Sequence, residues 1–449
     1  MNELFDKEHI QSIMEVINSE LDGAQATVTL TVDNSALTRF SNNIIHQNVA
    51  RRSYHLSIMV VKDKRVGKAD TNIINMESII ETVRNALKIT EFTPVDEEHL
   101  DLLEQQSYKP VDRYCEATAE MTPEDRADIV YNAVQLCKKH NFETAGIVEN
   151  ASSFFMLGNS KGLYASHMES SIDYNISVYD SEGNSGWARG CSYTKNNVNF
   201  SAITKDAVAK TIMSRNPIDL PEGEYTVILE PAAVADLLMY LAFEGFGAQL
   251  FLDGRSSLCG KMNTQIAAKD INIYDDVYAE NMMGMPFDFE GYPRKKVLLV
   301  ENGIAKNLVH DRKTAIKSDS VSTGHALPEP NSFGPIPLNL VVAPGEKSFK
   351  EIVTTAKKAI LVTHFHYINL VDPSQLILTG MTRDGLYLVE DGKISCPVKN
   401  FRFTESVFKA LKNVTEIAKD QVLTYEYGLG CLTPAMKIEN FRFSSKTEF

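Results

Sequence analysis

The chain has 449 residues, of which 43% are hydrophobic and 23% charged, with a formal net charge of −14 at pH 7. That length exceeds one ordinary core, so two or three domains are expected, and the composition excludes a disordered chain. With 45 Lys and Arg against 59 Asp and Glu, and no basic run longer than Arg294-Lys295-Lys296, direct DNA binding is not expected, since affinity for phosphates comes from cations.

The start, Met1 to Ile13, is polar and has no apolar core of a signal peptide, and no run of 18 apolar residues occurs anywhere. Six cysteines (115, 137, 191, 259, 396 and 431) are scattered without C-x-x-C spacing. A cytoplasmic protein with free thiols and no membrane span is the expectation.

Residues 7–21 place Ile10, Ile13, Met14 and Ile17 at helical spacing, with Asp6 as N-cap. Residues 25–32 alternate with period two, 43–48 and 53–61 read as further strands, and 76–90 as a helix. This predicts an N-terminal α+β domain that closes with an acidic linker, 91–112. Thr122-Pro123-Glu124-Asp125 is a helix start: a hydroxyl cap, Pro in the first turn, then acids on the positive end of the dipole. The pattern from 143 to 201 is almost wholly β, and a short helix at 204–214 leads to Pro217 and Pro221. Residues 113–220 thus form a middle helix-plus-β-meander module.

The third unit, 221–449, opens with a buried strand at 225–229 and a helix at 231–245, then a long Gly-punctuated stretch to 345. A helix at 347–358, strands near 361–370, 376–380 and 385–390, and a helix at 404–418 complete it. The fold class expected is α+β, with a larger β-rich C-terminal domain carrying peripheral helices.

A zinc peptidase helix needs two His one turn apart with a Glu between, yet no His here is followed by Glu. His364 and His366 would share one face of a strand, a weak alternative pair of metal ligands that Asp372 or His310 could complete; two hydrogen-bonded strand histidines are the plainer reading. Ser322-Thr323-Gly324-His325 sets hydroxyls beside an imidazole, but no third group or strained elbow is visible; a turn whose Gly takes positive φ accounts for it as well. Gly245-Phe246-Gly247 reads as a helix stop, Cys431 as a buried thiol, and Asp288 with Glu290 as a carboxylate pair open to an acid/base or a solvated role.

Several segments together resemble the TldD/PmbA family, once described as modulators of DNA gyrase. They are the strand–helix–Gly block at 225–260, SVSTGHA at 320–326, the run from LVTHFHYINLVDPSQLILTG through MTRDGLYLVEDGKISCPV at 361–398, and PAMKIENFRF at 434–443, with SALTRFSNNIIHQN at 35–48 similar to the family's first domain. The resemblance implies pairs of chains: a TldD-like chain that carries H-E-x-x-x-H and binds zinc, and a PmbA or TldE-like partner without the metal set. Placed against that pattern from Ser257-Leu258-Cys259-Gly260, the metal helix falls on Met239 to Glu244. Met239 and Glu244 then stand where the histidines would be and Tyr240 where the Glu would be, so this chain resembles the second type.

The reading that follows is a partner subunit with no catalytic residue, no metal and no bound cofactor of its own. Zinc is expected in a TldD-like partner, in a heterodimer or higher assembly, with a homodimer possible for the chain alone. Peptide substrate would meet Gly324, His325, His364 and His366. Two alternatives stay open: a self-sufficient metallohydrolase built on His364 and His366, and a regulator or binding protein.

Overall fold

A computed structural model describes residues 7–447. Helix α1 (Lys7–Glu20) and strands β1 (Gln25–Ser41), β2 (Ile44–Lys62) and β3 (Arg65–Thr71) precede helix α2 (Met76–Thr90); Asp6, the expected cap of α1, lies outside the described residues. The two strands expected at 43–48 and 53–61 are one strand, β2. After a one-turn helix α3 (Glu116–Ala119) comes α4 (Pro123–Lys138), opened by a capping box between Thr122 and Asp125. Strands β4 (Glu143–Asn159), β5 (Tyr164–Tyr179) and β6 (Ser185–Ser192) and helix α5 (Phe200–Met213) follow.

The six strands form one antiparallel sheet in the order β3-β2-β1-β4-β5-β6. Strand β1 pairs with β4 from Thr27↔Asn159 to Phe40↔Gly146. The sequence reading divides 1–112 from 113–220, but this ladder crosses that line, so the two stretches share backbone hydrogen bonds. Side chains alternate across a sheet, so even-numbered positions of β1 share one face. Val28, Leu30 and Val32 pack there with Ile10, Ile13 and Ile17 of α1 and Ile79 and Val83 of α2. Phe40, on the same parity, joins a second core with Val130 and Val134 of α4 and Ala207 and Val208 of α5. Both helix pairs therefore cover one face, and the opposite face turns toward the C-terminal half.

That half holds β7 (Gly223–Leu229), α6 (Pro231–Glu244), α7 (Ala248–Leu252), β8 (Ile273–Asp275), β9 (Val297–Glu301), β10 (Ile304–Ala305), α8 (Arg312–Lys317), β11 (Asn339–Val342) and α9 (Phe349–Thr355). Then come β12 (Lys358–Asp372), β13 (Ile377–Glu390), β14 (Lys393–Pro397), β15 (Phe401–Ser406), α10 (Val407–Lys412), β16 (Val414–Glu426) and β17 (Leu429–Lys446). Strand β7 pairs with both β12 and β17, so the path β17-β15-β13-β12-β7 returns on itself as a closed ring. Phe365, Phe403, Phe441 and Phe443 stack against one another in its core. The class is α+β.

Two expectations need correction. The helix expected at 404–418 is the end of β15, the short helix α10 and the start of β16. Val407, Phe408, Ala410 and Leu411 do form a helical apolar face, but Val414 and Ile417 belong to β16, paired with Ile438 and Met436. The strands expected at 376–380 and 385–390 are one strand: Asp384 (φ 54) and Gly385 (φ 147) let it kink without ending.

Inside the second core, Arg126 is 1% exposed and meets only neutral acceptors: Thr38 Oγ1 (3.2 Å), Met121 O (3.0 Å), Asn150 Oδ1 (2.7 Å) and Asn48 Oδ1 (3.3 Å). It ties α4 to β1, β2 and β4 at once. Truncating it strands several buried acceptors, so Arg126→Ala should lower stability by about 2–4 kcal/mol. Urea unfolding should show a lower midpoint at unchanged m, and Arg126→Lys should not restore it because lysine lacks the planar fork.

Candidate functional site

Helix α6 begins with Pro231 in its first turn and buries Ala233, Val234, Leu237, Leu238, Leu241 and Ala242. One acid interrupts this apolar run. Asp236 accepts the backbone N–H of Phe365 (3.1 Å), and Tyr240, one turn on, donates to the carbonyl of Ile368 (2.7 Å). Residues four apart share a helix face, so α6 is fastened to β12 at two points. Strand β12 makes the second point available by bulging: Tyr367 takes φ 50, and the β12–β13 ladder skips from His366 to Asn369. Desolvation pushes the Asp236 carboxyl up to about 7, against the pull of the Phe365 amide, although an edge of the side chain stays accessible.

Met239, Tyr240 and Glu244 are the residues that the resemblance, read from the sequence, would set at the metal-binding positions. A tetrahedral zinc site takes imidazoles, thiolates or carboxylates. Here the phenol is committed to Ile368 and raised above its ordinary range by burial, and burial likewise raises Glu244. Cys431 is 2% exposed and its thiol is pushed well up by burial, with Asp236 and Glu426 adding to the shift. This donor set does not fit zinc. Among the described residues no three His, Cys, Asp or Glu side chains converge to hold a metal ion.

Gly245 does not form a left-handed stop, since its φ is −114. It permits close packing instead: a Cβ there would sit 2.5 Å from Leu241 O, while Ser256 Oγ donates to Gly245 O at 2.6 Å.

His364 and His366 share a face of β12 but have different partners. His364 is 13% exposed and lies against the Trp187 ring (centroids 4.2 Å) and 3.9 Å from Asp384. Burial holds its pKa down to about 3, with Lys210, His366 and Arg383 acting in the same direction, so the ring is neutral. His366 Nε2 lies 2.6 Å from Arg383 Nη1, a cation where a second metal ligand would have to open. Asp372 is engaged in its own turn with Ser374 and Gln375, and His310 sits beside the 322–325 loop. The set imagined from sequence is not assembled.

Gly324 and His325 are both buried, so neither lines an open groove of this chain. Gly324 takes φ +76, and a Cβ there would meet Pro293 O at 2.5 Å, so two constraints select glycine. His325 Nδ1 is 2.9 Å from Thr323 Oγ1, and Nε2 is 2.9 Å from Asp275 Oδ1, off the ideal hydrogen-bond direction. Asp275 is the third group that the sequence does not reveal. Despite complete burial, His325 and Arg294 hold its carboxyl below the ordinary range. The Thr323 hydroxyl also receives His310 N–H (2.7 Å) and lies 3.0 Å from His310 O. The cluster is therefore tied into the loop's own backbone.

The opposite face of the six-stranded sheet meets these loops. Phe155 packs on Phe287 and Phe289, Glu169 accepts Gly284 N–H, and Arg189 bridges Asp173 of β5 to Glu426 of β16. Asp288 is spent on three backbone amides, those of Glu290, Tyr292 and Ala326. Glu290 accepts Arg312 N–H at the start of α8 (3.3 Å), and burial with the nearby Asp288 pushes its carboxyl up to about 8. Asp288 is fully buried, whereas Glu290 keeps partial exposure. Of the residues missed, Asp236 had a signal, a lone acid in an apolar helix; Asp275 and Trp187 had none.

Residues 222–445 match the PmbA/TldA metallopeptidase C-terminal domain. The chain is 22% identical to the metalloprotease PmbA of Escherichia coli O157:H7 across 96% of this chain and 95% of that one. A metalloprotease of Methanothermobacter thermautotrophicus is 26% identical over 214 residues, 47% of this chain and 45% of that relative, so that alignment spans under half of either. The crystal structure of TldE from Thermococcus kodakarensis superimposes with a TM-score of 0.88 at 21% identity, covering 97% of this chain and 99% of that one.

Glu290 carries a pH prediction. Burial lifts its folded pKa to about 8, above the ordinary value of 4.5, so between those values the native state binds the extra proton. Stability should therefore fall as pH rises through that window and level off above it. Glu290→Gln should flatten the slope and, above pH 8, stabilise the protein by at most about 5 kcal/mol, read from urea midpoints across pH 5–9.

Proposed function

Because the chain belongs to the TldD/PmbA family, we propose that it is the metal-free, TldE/PmbA-type subunit of a cytosolic zinc peptidase that acts on unfolded or extended peptides. The zinc would come from a TldD-like partner, in a heterodimer or a higher assembly. The observation that carries this reading is the chemistry of α6. The helix spends Asp236 and Tyr240 on fastening itself to β12 and offers a thioether and a shielded carboxyl at the remaining family positions. A helix so committed supports a packing or interface role rather than a hydrolytic one.

Within the proposed assembly, this chain would supply one wall of the peptide path. The outer half of β12 is the best-suited element, with His366 and Arg383 adjoining and Tyr367 71% exposed at the bulge. An extended peptide held there would be read mainly through its backbone. His364, shut in against Trp187, would position this segment rather than touch peptide.

The purified chain, analysed by elemental mass spectrometry, should carry no stoichiometric zinc and leave an unfolded peptide intact. Adding a TldD-like chain should produce chelator-sensitive cleavage and a complex on size exclusion. Stoichiometric zinc in the isolated chain, with peptidase activity that a chelator removes, would defeat the reading.

A further inference from the structure

Strand β2 is paired along its whole length on one side only. On the other side β3 covers Leu56 to Lys62 and stops. From Ile44 to His55 no strand among the described residues hydrogen-bonds to the outer edge. Residues 44–52 are exposed at every position, on both faces of the sheet. Half of the N–H and C=O groups of an edge strand point outward, which makes such an edge a template for another strand. Natural edges are usually blunted by proline, a bulge or a covering segment; 44–55 contains no proline, and its one irregularity against β1 is a bulge at His46, passed over between Phe40↔Ile45 and Arg39↔Gln47 close to the turn, so that 47–55 runs in unbroken register.

The edge also has a charge opposite to that of the molecule. No Asp or Glu occurs between residues 34 and 62, in a chain of net charge −14. Arg39, Arg51 and Arg52 lie in this stretch with His46 and His55. Arg51 and Arg52 are consecutive, so their side chains leave on opposite faces, and a strand laid alongside meets a guanidinium whichever way its carboxylates point. Nearby acids are few: Asp33 pairs with Ser53, and Asp70 of β3 is 3.4 Å from His55. Ile44, at 67% exposure, with Ile45 and Val49 at 39% each, adds apolar surface along the same edge.

We infer that the free edge of β2, residues 44–55, is a docking site for an extended, acidic segment of polypeptide, which adds as a further strand beside β2. Backbone hydrogen bonds supply most of the attraction, and Arg51 and Arg52 select for carboxylates. A second copy of this chain is the poorer occupant, because joining two such edges would set basic strand against basic strand. The inference does not depend on the subunit reading.

The test uses the full chain and two labelled peptides, one alternating Glu and Val and the other Lys and Val. In fluorescence anisotropy the Glu–Val peptide should bind, weaken as salt is raised, and bind roughly tenfold more weakly to the R51E/R52E variant. Both substitutions are at exposed positions, so circular dichroism should report an unchanged fold. Hydrogen exchange with the Glu–Val peptide present should show new protection of amides within 44–55. Equal binding of the two peptides, or no protection there, overturns the proposal. Self-association in sedimentation that R51E/R52E abolishes, with no peptide binding, also overturns it and assigns the edge to a second copy.

Discussion

The fastening of α6 to β12 is the constraint from which the rest of the C-terminal half is read. Asp236 takes the Phe365 amide and Tyr240 gives its proton to the Ile368 carbonyl, one helical turn apart. Both partners lie in the stretch where β12 leaves its parallel pairing with β7, which covers only Ile360 to Val362. Beyond that point the side chains of α6 satisfy backbone groups that no strand reaches. The helix substitutes for a missing neighbour strand, and the two polar residues in its apolar run are the ones that do so. Neither side chain is left free for another role: the carboxylate and the phenol are both committed to the backbone of β12.

The same economy holds where the two halves meet. The opposite face of the six-stranded sheet is polar along most of its length, yet it is joined to the C-terminal loops by a few strong contacts. On that face Arg189 is held between Asp173 and Glu426; on the helix-covered side Lys210 of α5, 6% exposed, reaches Glu230 of the C-terminal half as well as Asp206 of its own helix. Buried ion pairs add little net stability over an apolar contact of the same shape, but removing one partner is costly. Their effect is to fix a register between surfaces that apolar packing alone would allow to slide. That register sets Trp187 of β6 on His364 and leaves the imidazole neutral.

Much of this was legible in the sequence, and the failures have physical causes. The capped helix at Thr122, the Pro-initiated α6 and its lack of imidazoles stand in the letters, because caps and apolar runs act locally. Read from sequence, β1 ends at residue 32 and β2 splits into 43–48 and 53–61, because the alternation of β1 weakens after Val32 and 44–52 is exposed on both faces, which removes the alternation that identifies a strand. The segment 404–418 misled for the reverse reason. Its apolar residues suit a helix for one turn and a buried strand afterwards, and pairing with β17 decides between them.

The candidate site was legible only as chemistry, not as geometry. SVSTGHA and THFHY mark the loops and strands that matter, but not which atoms are accessible. His325 resembles a recognition residue in the sequence, yet it is fully buried because Asp275, fifty residues earlier, comes to its other nitrogen. Gly324 is fixed by a backbone approach from Pro293 that no local pattern announces. His364 and His366 look equivalent at i and i+2, but β6 packs over one and Arg383 stands beside the other. Residue type proposes a role, and long-range contacts decide whether the side chain is free to perform it. The distinction matters most in a family whose relatives are named as metalloproteases: an imidazole pair on one strand is a ligand set only if both nitrogens face the same open space, and here one faces an indole and the other a guanidinium.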